Sequence, residues 1–324
     1  MKLSEKPLLD PGLIPLSLWD AASETLQIPS ALSLAYYTLI DRHGLRSLAV
    51  SRDPNNSPVG GLDQLRTDQH FAQAFDGSVA RAQLAILDPL KQVKRASNAF
   101  IQSLSGNELC ITDAPCGAGA AVFAFLTTIA ELRANDVLPR LPLDVSLIGA
   151  EISAPARAYF TEILEELRPF LEAQAISVNS NVTEWNLLDR ISNADLISRM
   201  TRASTPNTKS LLIVANFSGF LEQEKRRAEA EAPLEELFRH ASGNGTVVVW
   251  IEPQMNHVIS SGGLFAGLAR WAKEKWHKFM NVNTDGRDSE LYLVSKCKFR
   301  SPIDPTKTHP VRLAVMRLDL ERKI

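Results

Sequence analysis

Residues Leu109–Phe125, LCITDAPCGAGAAVFAF, decide how this chain is read. The run Cys110, Ile111, Thr112 ends in Asp113-Ala114-Pro115-Cys116-Gly117-Ala118-Gly119, and an apolar, alanine-rich stretch follows. That order predicts a strand, a tight turn and a helix. Glycines carry no Cβ, so a turn holding two of them lets the backbone pass close under a ligand. The helix start beyond it presents unpaired N–H groups and a partial positive charge to a carboxylate or phosphate. The pattern alone fits any strand-to-helix turn, and the rest of the chain narrows it.

Going outward, 324 residues suffice for two domains, or for one α/β domain with a large extension. A net charge of −2 gives no strong nucleic-acid signal. The three cysteines, Cys110, Cys116 and Cys297, show no paired spacing, so neither a disulfide framework nor a metal site is expected. The start, MKLSEKPLLDPG, lacks an apolar run of signal-peptide length, and no window approaches a membrane span. These features predict a reduced, cytoplasmic globular protein.

Residues 1–107 read as a helical N-terminal cap or substrate-recognition region. Leu16–Leu26 and Pro29–His43 have helical spacing, Ser51–Gly61 is a loop by composition, and a long helical region covers Gln64–Leu104 with a break near Asp76-Gly77. No strand is expected there. From residue 108 strands alternate with helices, which implies a mostly parallel sheet covered on both faces. Strands are predicted at 109–113, 144–150, 174–181, 210–216, 245–252, 290–296 and 311–318, and helices at 118–134, 154–171, 186–202, 229–242 and 261–280. The polar loop Lys298–His309 predicts a hairpin-like last pair of strands.

A sheet of seven strands with a glycine turn after the first and such a final pair resembles the class I, Rossmann-like S-adenosylmethionine-dependent methyltransferases. The resemblance covers about residues 105–324 and leaves the N-terminal part aside. It implies a cofactor-binding domain over 108–324 that moves a methyl group from S-adenosylmethionine to a small-molecule, RNA or protein acceptor. Asp113 with Pro115, Cys116, Gly117 and Gly119 is similar to the family's acidic-x-x-x-Gly-x-Gly motif, which implies that Asp113 receives the cofactor's ammonium. Val145–Ile152, VSLIGAEI, ends in Glu151, whose carboxylate would accept from both ribose hydroxyls, with Ile152 against the adenine. Val182–Asp189, VTEWNLLD, supplies Glu184, Trp185 and Asn186 near the adenine. Trp185 equally fits a packing role, and Asn186 fits a helix cap.

Leu211–Phe220, LLIVANFSGF, turns polar at Asn216, where the family carries an acidic or amide residue. The prolines of an Asn-Pro-Pro-aromatic motif are missing, which puts methylation of a planar amino group in doubt. Asn216 is expected to hold the nucleophile while Phe217 lines the pocket. Val247–His257, VVVWIEPQMNH, ends a strand in Glu252 and leads to His257, a candidate proton acceptor. Tyr36, Tyr37, His70, Phe71 and Phe75 are pocket or packing candidates from the N-terminal segment. Arg270–Phe279, RWAKEKWHKF, reads as an amphipathic surface helix.

Two alternatives stand beside this reading. A nicotinamide-dependent oxidoreductase would need a third glycine where Val122 or Phe123 stands. A non-catalytic module that binds S-adenosylmethionine as a sensor or scaffold would keep the cofactor residues and lack an acceptor site.

Overall fold

The computed structural model describes residues 6–52, 60–205, 207–222, 226–241, 246–254 and 292–320. The N-terminal segment contributes two short strands, β1 (Trp19–Asp20) and β2 (Thr25–Leu26). Four helices follow: α1 (Ser30–Arg42), α2 (Arg46–Val50), α3 (Gln64–Leu87) and α4 (Lys94–Gln102). Alternation then begins with β3 (Glu108–Asp113), α5 (Ala120–Ala134), β4 (Leu143–Ala150), α6 (Ala154–Ala173) and β5 (Ile176–Thr183). It continues through α7 (Arg190–Ala203), β6 (Lys209–Ala215), α8 (Ser218–Glu222), α9 (Arg226–Ala241) and β7 (Thr246–Pro253), and ends in β8 (Leu293–Arg300) and β9 (Thr308–Asp319). The predicted helix at 261–280 lies outside the described residues.

All the strands join one sheet in the order β1-β2-β8-β9-β7-β6-β3-β4-β5. Strands β3 to β7 are mutually parallel, whereas β9 runs antiparallel between β7 and β8. The expected final pair therefore forms, with β9 inserted inside β8. Central strands such as β6, with Leu211, Leu212, Ile213 and Val214 all buried, need apolar residues on both faces because helices cover both. One face packs on α5, α6 and the N-terminal helices, through Phe100, Phe123, Phe125 and Phe160. The other packs on α7 and α9, through Trp185, Leu196, Leu237 and Trp250.

Several expectations need correction. The seven strands expected from residue 108 onward all form, as β3 to β9, but among the described residues the sheet has nine, because the N-terminal segment is not free of strand and adds β1 and β2. Leu16–Leu26 does not form a helix: Asp20 accepts from the amides of Ala22 and Ser23, making a side-chain-closed turn between β1 and β2. β2 then pairs with β8 through Thr25 and Leu26, covering an edge that would leave backbone groups unpaired. A two-residue strand is too short to show an alternating pattern, so local periodicity misses it.

The break expected at Asp76-Gly77 does not occur, and α3 runs unbroken from Gln64 to Leu87. Gly77 serves close approach instead. A Cβ there would lie 3.1 Å from Arg52 Nη2, whose guanidinium donates to both oxygens of Asp76 at 2.9 and 3.0 Å. The helix ends at Asp88, in the left-handed region at φ 43°, whose carboxylate accepts from the amides of Gln92 and Val93.

Candidate functional site

Four polar residues stand side by side where neighbouring parallel strands end: Glu252 on β7, Asn216 after β6, Asp113 on β3 and Glu151 after β4. The register fixes this row, since Asp113 pairs with Ile213 and Gly149, and the Asn216 amide donates to the Ile251 carbonyl. In open α/β sheets this carboxyl edge is the ligand side.

Asp113 is buried, and neither carboxylate oxygen has a hydrogen-bond partner. Burial holds its carboxyl well above the usual 3.8, and the charge of Glu151 pushes the same way. The Val122 amide, which faces the carboxylate from the start of α5, opposes this. Beside it the turn takes Gly117 and Gly119 to φ 52° and 85°, both left-handed. Their surroundings differ. A Cβ on Gly119 would meet Phe123 Cε2 at 2.2 Å and Phe160 Cδ2 at 2.8 Å, whereas one on Gly117 would meet nothing within 4 Å. Gly119 is needed for packing, and Gly117 borders open space. Cys116 is buried in the turn, and its amide donates to the Ala150 carbonyl.

Glu151 accepts from the Gly117 amide at 3.0 Å and the Ser153 amide at 2.8 Å, one on each oxygen. It thus braces the glycine turn against the start of α6. Each carboxylate oxygen offers two lone pairs, so each could accept one further donor. Burial raises the Glu151 carboxyl, offset in part by these amides and by Arg157. Arg157 donates to the carbonyls of Glu151 and Ile152 and pairs with Glu184 at 3.4 Å. Ile152 is exposed beside Glu151, as an apolar surface for a planar ring requires.

The Glu184–Asn186 trio divides. The Glu184 carboxylate is on the surface. Trp185 is buried in the core, with Nε1 toward Asn193 Oδ1, which is the packing role. Asn186 accepts from the Leu188 amide, so it orders the entry to α7. Asp189, rather than Asn186, caps that helix.

Glu252 is as buried as Asp113 but fully engaged. Its Oε1 accepts from the amides of Phe217 and Ser218, both at 2.9 Å, and from Trp250 Nε1 at 2.6 Å. Its Oε2 accepts from Ser218 Oγ at 2.8 Å. Those bonds hold the chain after β6 so that Asn216 stands in the left-handed region at φ 54°. Phe217 is buried and stacks on Phe220, with ring centroids 5.2 Å apart.

The N-terminal segment reaches this edge through α3, which no local pattern predicts. Thr67 Oγ1 lies 3.2 Å from Ser153 Oγ at the β4 end, and Ser78 Oγ accepts from Asn216 Nδ2 at 3.2 Å at the β6 end. Arg81 Nη2 donates to the same Ser78 oxygen at 3.1 Å. Ser78 and Arg81 are therefore site residues absent from the sequence reading, 138 residues from Asn216 in the case of Ser78. The only local hint was polar residues on an otherwise buried helix. Tyr36, Phe71 and Phe75 form an aromatic cluster with Tyr159 and serve packing. His257 lies outside the described residues, as do Ser260–Gly263 and Arg270–Phe279.

A cavity of about 220 Å³ opens at the opposite, amino-terminal end of the strands, between Cys110, Ser204, Thr208 and His240. It touches none of the strand-end row. Among the described residues no cluster of His, Cys, Asp and Glu is placed to hold a metal, and no helix is long and apolar enough to cross a membrane.

No family model matches the chain, and no curated protein does. Among solved structures it is similar to precorrin-6y C5,15-methyltransferase from Geobacter metallireducens, at 10% identity over 68% of this chain and 87% of that one, with a TM-score of 0.33. It is similar to TehB from Haemophilus influenzae at 11% identity over 73% and 66%, TM-score 0.33. It is also similar to the glycopeptide N-methyltransferase MtfA complexed with sinefungin, at 12% identity over 67% of each chain, TM-score 0.29. Likeness at this level carries no argument about activity, which rests on the residues of this chain.

Proposed function

We propose that this chain transfers a methyl group from S-adenosylmethionine to a nucleophile by direct displacement. One observation carries the reading. Asp113 is a buried acid with two unpartnered oxygens, beside a left-handed glycine turn that borders open space. Buried polar groups are almost always satisfied. An ammonium offers three donors and a compensating charge, reaching Asp113 directly or through an ordered water. An amino acid joined to a nucleoside would set its ammonium at Asp113, its backbone-facing part against Gly117, its ribose hydroxyls on Glu151 and its adenine against Ile152.

When bound, the sulfonium supplies a methyl group already activated for displacement. The protein's tasks are alignment and exclusion of water. The side-chain oxygen of Asn216 has no partner among the described residues and can accept from an acceptor N–H or O–H. Its nitrogen is held by Ser78, so the amide is oriented before the acceptor arrives. With the cofactor bound, the displacement would break its S–CH3 bond and leave a neutral thioether, and the proton of the nucleophile held at Asn216 would go to solvent or to a base.

The first test is a thermal shift. S-adenosylmethionine or S-adenosylhomocysteine binds only the folded state and raises the Tm, while NAD does not. No shift at millimolar ligand, together with a shift by NAD, overturns the assignment. Radioactive methyl transfer into extract fractions then identifies the acceptor. Cofactor binding with no fraction labelled would leave a binding module in place of an enzyme.

A further inference from the structure

Two arginines enter the polar stripe of α3, and only one is neutralised by direct contact. Arg52 donates to both oxygens of Asp76. Arg81 has no carboxylate within ion-pair distance among the described residues. Among the described residues its single hydrogen bond runs from Nη2 to Ser78 Oγ, and its buried Nε finds no partner.

The nearby acids do not complete it. Asp76 is taken by Arg52 and the Gly77 amide, which donates to Oδ1 at 2.6 Å. Glu252 attracts Arg81 through space, but its oxygens already accept from Phe217, Ser218 and Trp250. Burial lowers Arg81 to about 10, with Arg52 repelling it, so the guanidinium is still charged at neutral pH. A cation withdrawn from water without a matching anion is expensive. The fold nonetheless keeps one here, half-buried and tied through Ser78 to Asn216, at the strand end where the acceptor would sit.

We propose that Arg81 recognises an oxyanion on the methyl acceptor, a carboxylate or phosphate presented beside Asn216. A guanidinium is suited to this because its planar donors match two oxygens at once. Ser78 is the positioning residue: its hydroxyl oxygen takes one donor from Arg81 and one from Asn216, locking the distance between the charge-reading group and the amide. The acceptor is on this view an acidic molecule or an acidic group of a larger one. The inference rests on the methyl-transfer reading for the role of the oxyanion, but not for its binding.

Thermal-shift titration of the full chain tests it, with sodium malonate and sodium phosphate as probes at ionic strength held constant with chloride. The titration is run with and without S-adenosylhomocysteine. One of the two oxyanions is expected to give a saturable rise in Tm, and which one does separates carboxylate from phosphate. Arg81→Gln is expected to weaken that binding at least tenfold while the response to S-adenosylhomocysteine stays within twofold; Arg81→Lys restores part of the loss. No saturable shift by either oxyanion, or one that survives Arg81→Gln, overturns the proposal. If Arg81→Gln does not fold, the arginine Nε–Hε signals of the wild-type chain decide: an Arg81 signal unmoved by either oxyanion overturns the proposal, and one that moves saturably supports it. An oxyanion response lost in Arg81→Gln, together with no response to S-adenosylhomocysteine, keeps the oxyanion site and removes the methyl-transfer reading.

Discussion

Asp113 and Glu252 are two acids at the same edge of the same sheet, both withdrawn from water, both ending central parallel strands. Glu252 collects two backbone amides, one hydroxyl and one indole N–H, and Asp113 collects none. Equal burial therefore conceals opposite roles. The charge of Glu252 is used in holding the turn through Phe217 and Ser218, and removing it would leave those donors buried and unpaired. The carboxylate of Asp113 holds no hydrogen-bond donor of the protein, and on the methyl-transfer reading its burial is compensated by the ligand's ammonium. Burial alone does not separate a structural acid from a binding one; the count of donors around it does.

The comparison breaks most severely at Glu252. Glu252→Ala is expected to cost about 3–5 kcal/mol, because one substitution orphans several buried donors. Thermal unfolding should show a Tm lowered by roughly 5 °C. A loss under about 1 kcal/mol would mean that Glu252 is not the anchor of the turn.

Gly119 and Gly117 repeat the contrast within one turn. Gly119→Ala adds a left-handed non-glycine residue to a collision with Phe123 and Phe160, an expected loss of about 2–4 kcal/mol. Gly117→Ala meets open space and should cost only about 1 kcal/mol in stability, while on the methyl-transfer reading its Cβ would stand where the cofactor passes. Equal losses of stability at the two positions, measured by denaturant unfolding, would remove the distinction between packing glycine and binding glycine.

At Glu151, which braces the turn and on the methyl-transfer reading takes the ribose hydroxyls, Glu151→Ala is expected to weaken S-adenosylmethionine binding about 10–100-fold, for the loss of about 1.5–3 kcal/mol of charged hydrogen bonds. Calorimetric titration of a variant that still unfolds cooperatively measures it. Unchanged affinity would move the ribose role to another residue.

The smallest expected effect carries an unusual sign. Asp113→Asn is expected to raise the Tm of the ligand-free protein by roughly 1–2 °C, about 1 kcal/mol, while weakening S-adenosylmethionine binding. The pH dependence follows from the raised carboxyl of Asp113. Below the ordinary value of 3.8 the acid is protonated both folded and unfolded, and wild type and variant unfold alike. As the pH rises the unfolded chain loses its proton first, so wild-type stability falls until the folded-state pKa is passed. The Tm gap between variant and wild type should open over that window and then level off. A gap that closes with rising pH, or a variant less stable throughout, would show that Asp113 is compensated after all.

Much of this was legible along the chain. The β-branched runs and the helical stretches between them announced the parallel sheet, since a strand covered on both faces must be apolar throughout. The glycine turn, Asp113 and Glu151 were visible because one strand–turn–helix unit holds the first and the next strand end holds the second. Trp185 was ambiguous because an indole serves a core and a ring stack equally well, and only its burial beside Asn193 separates them. The strands β1 and β2 were invisible, since they exist by completing the edge of β8 rather than by their own pattern. The continuity of α3 through Gly77 was misread because a glycine there signals a break locally, while in the fold it admits the guanidinium of Arg52.

The alternating α/β order, the glycine turn and the acids at the strand ends follow from patterns within a few tens of residues, so they are written along the chain. Which acid is satisfied and which is left open, and that α3 brings Ser78 and Arg81 to Asn216, emerge on folding. Hydrogen-bond satisfaction and charge pairing are sums over neighbours in space, and those neighbours come from strands and helices far apart along the chain.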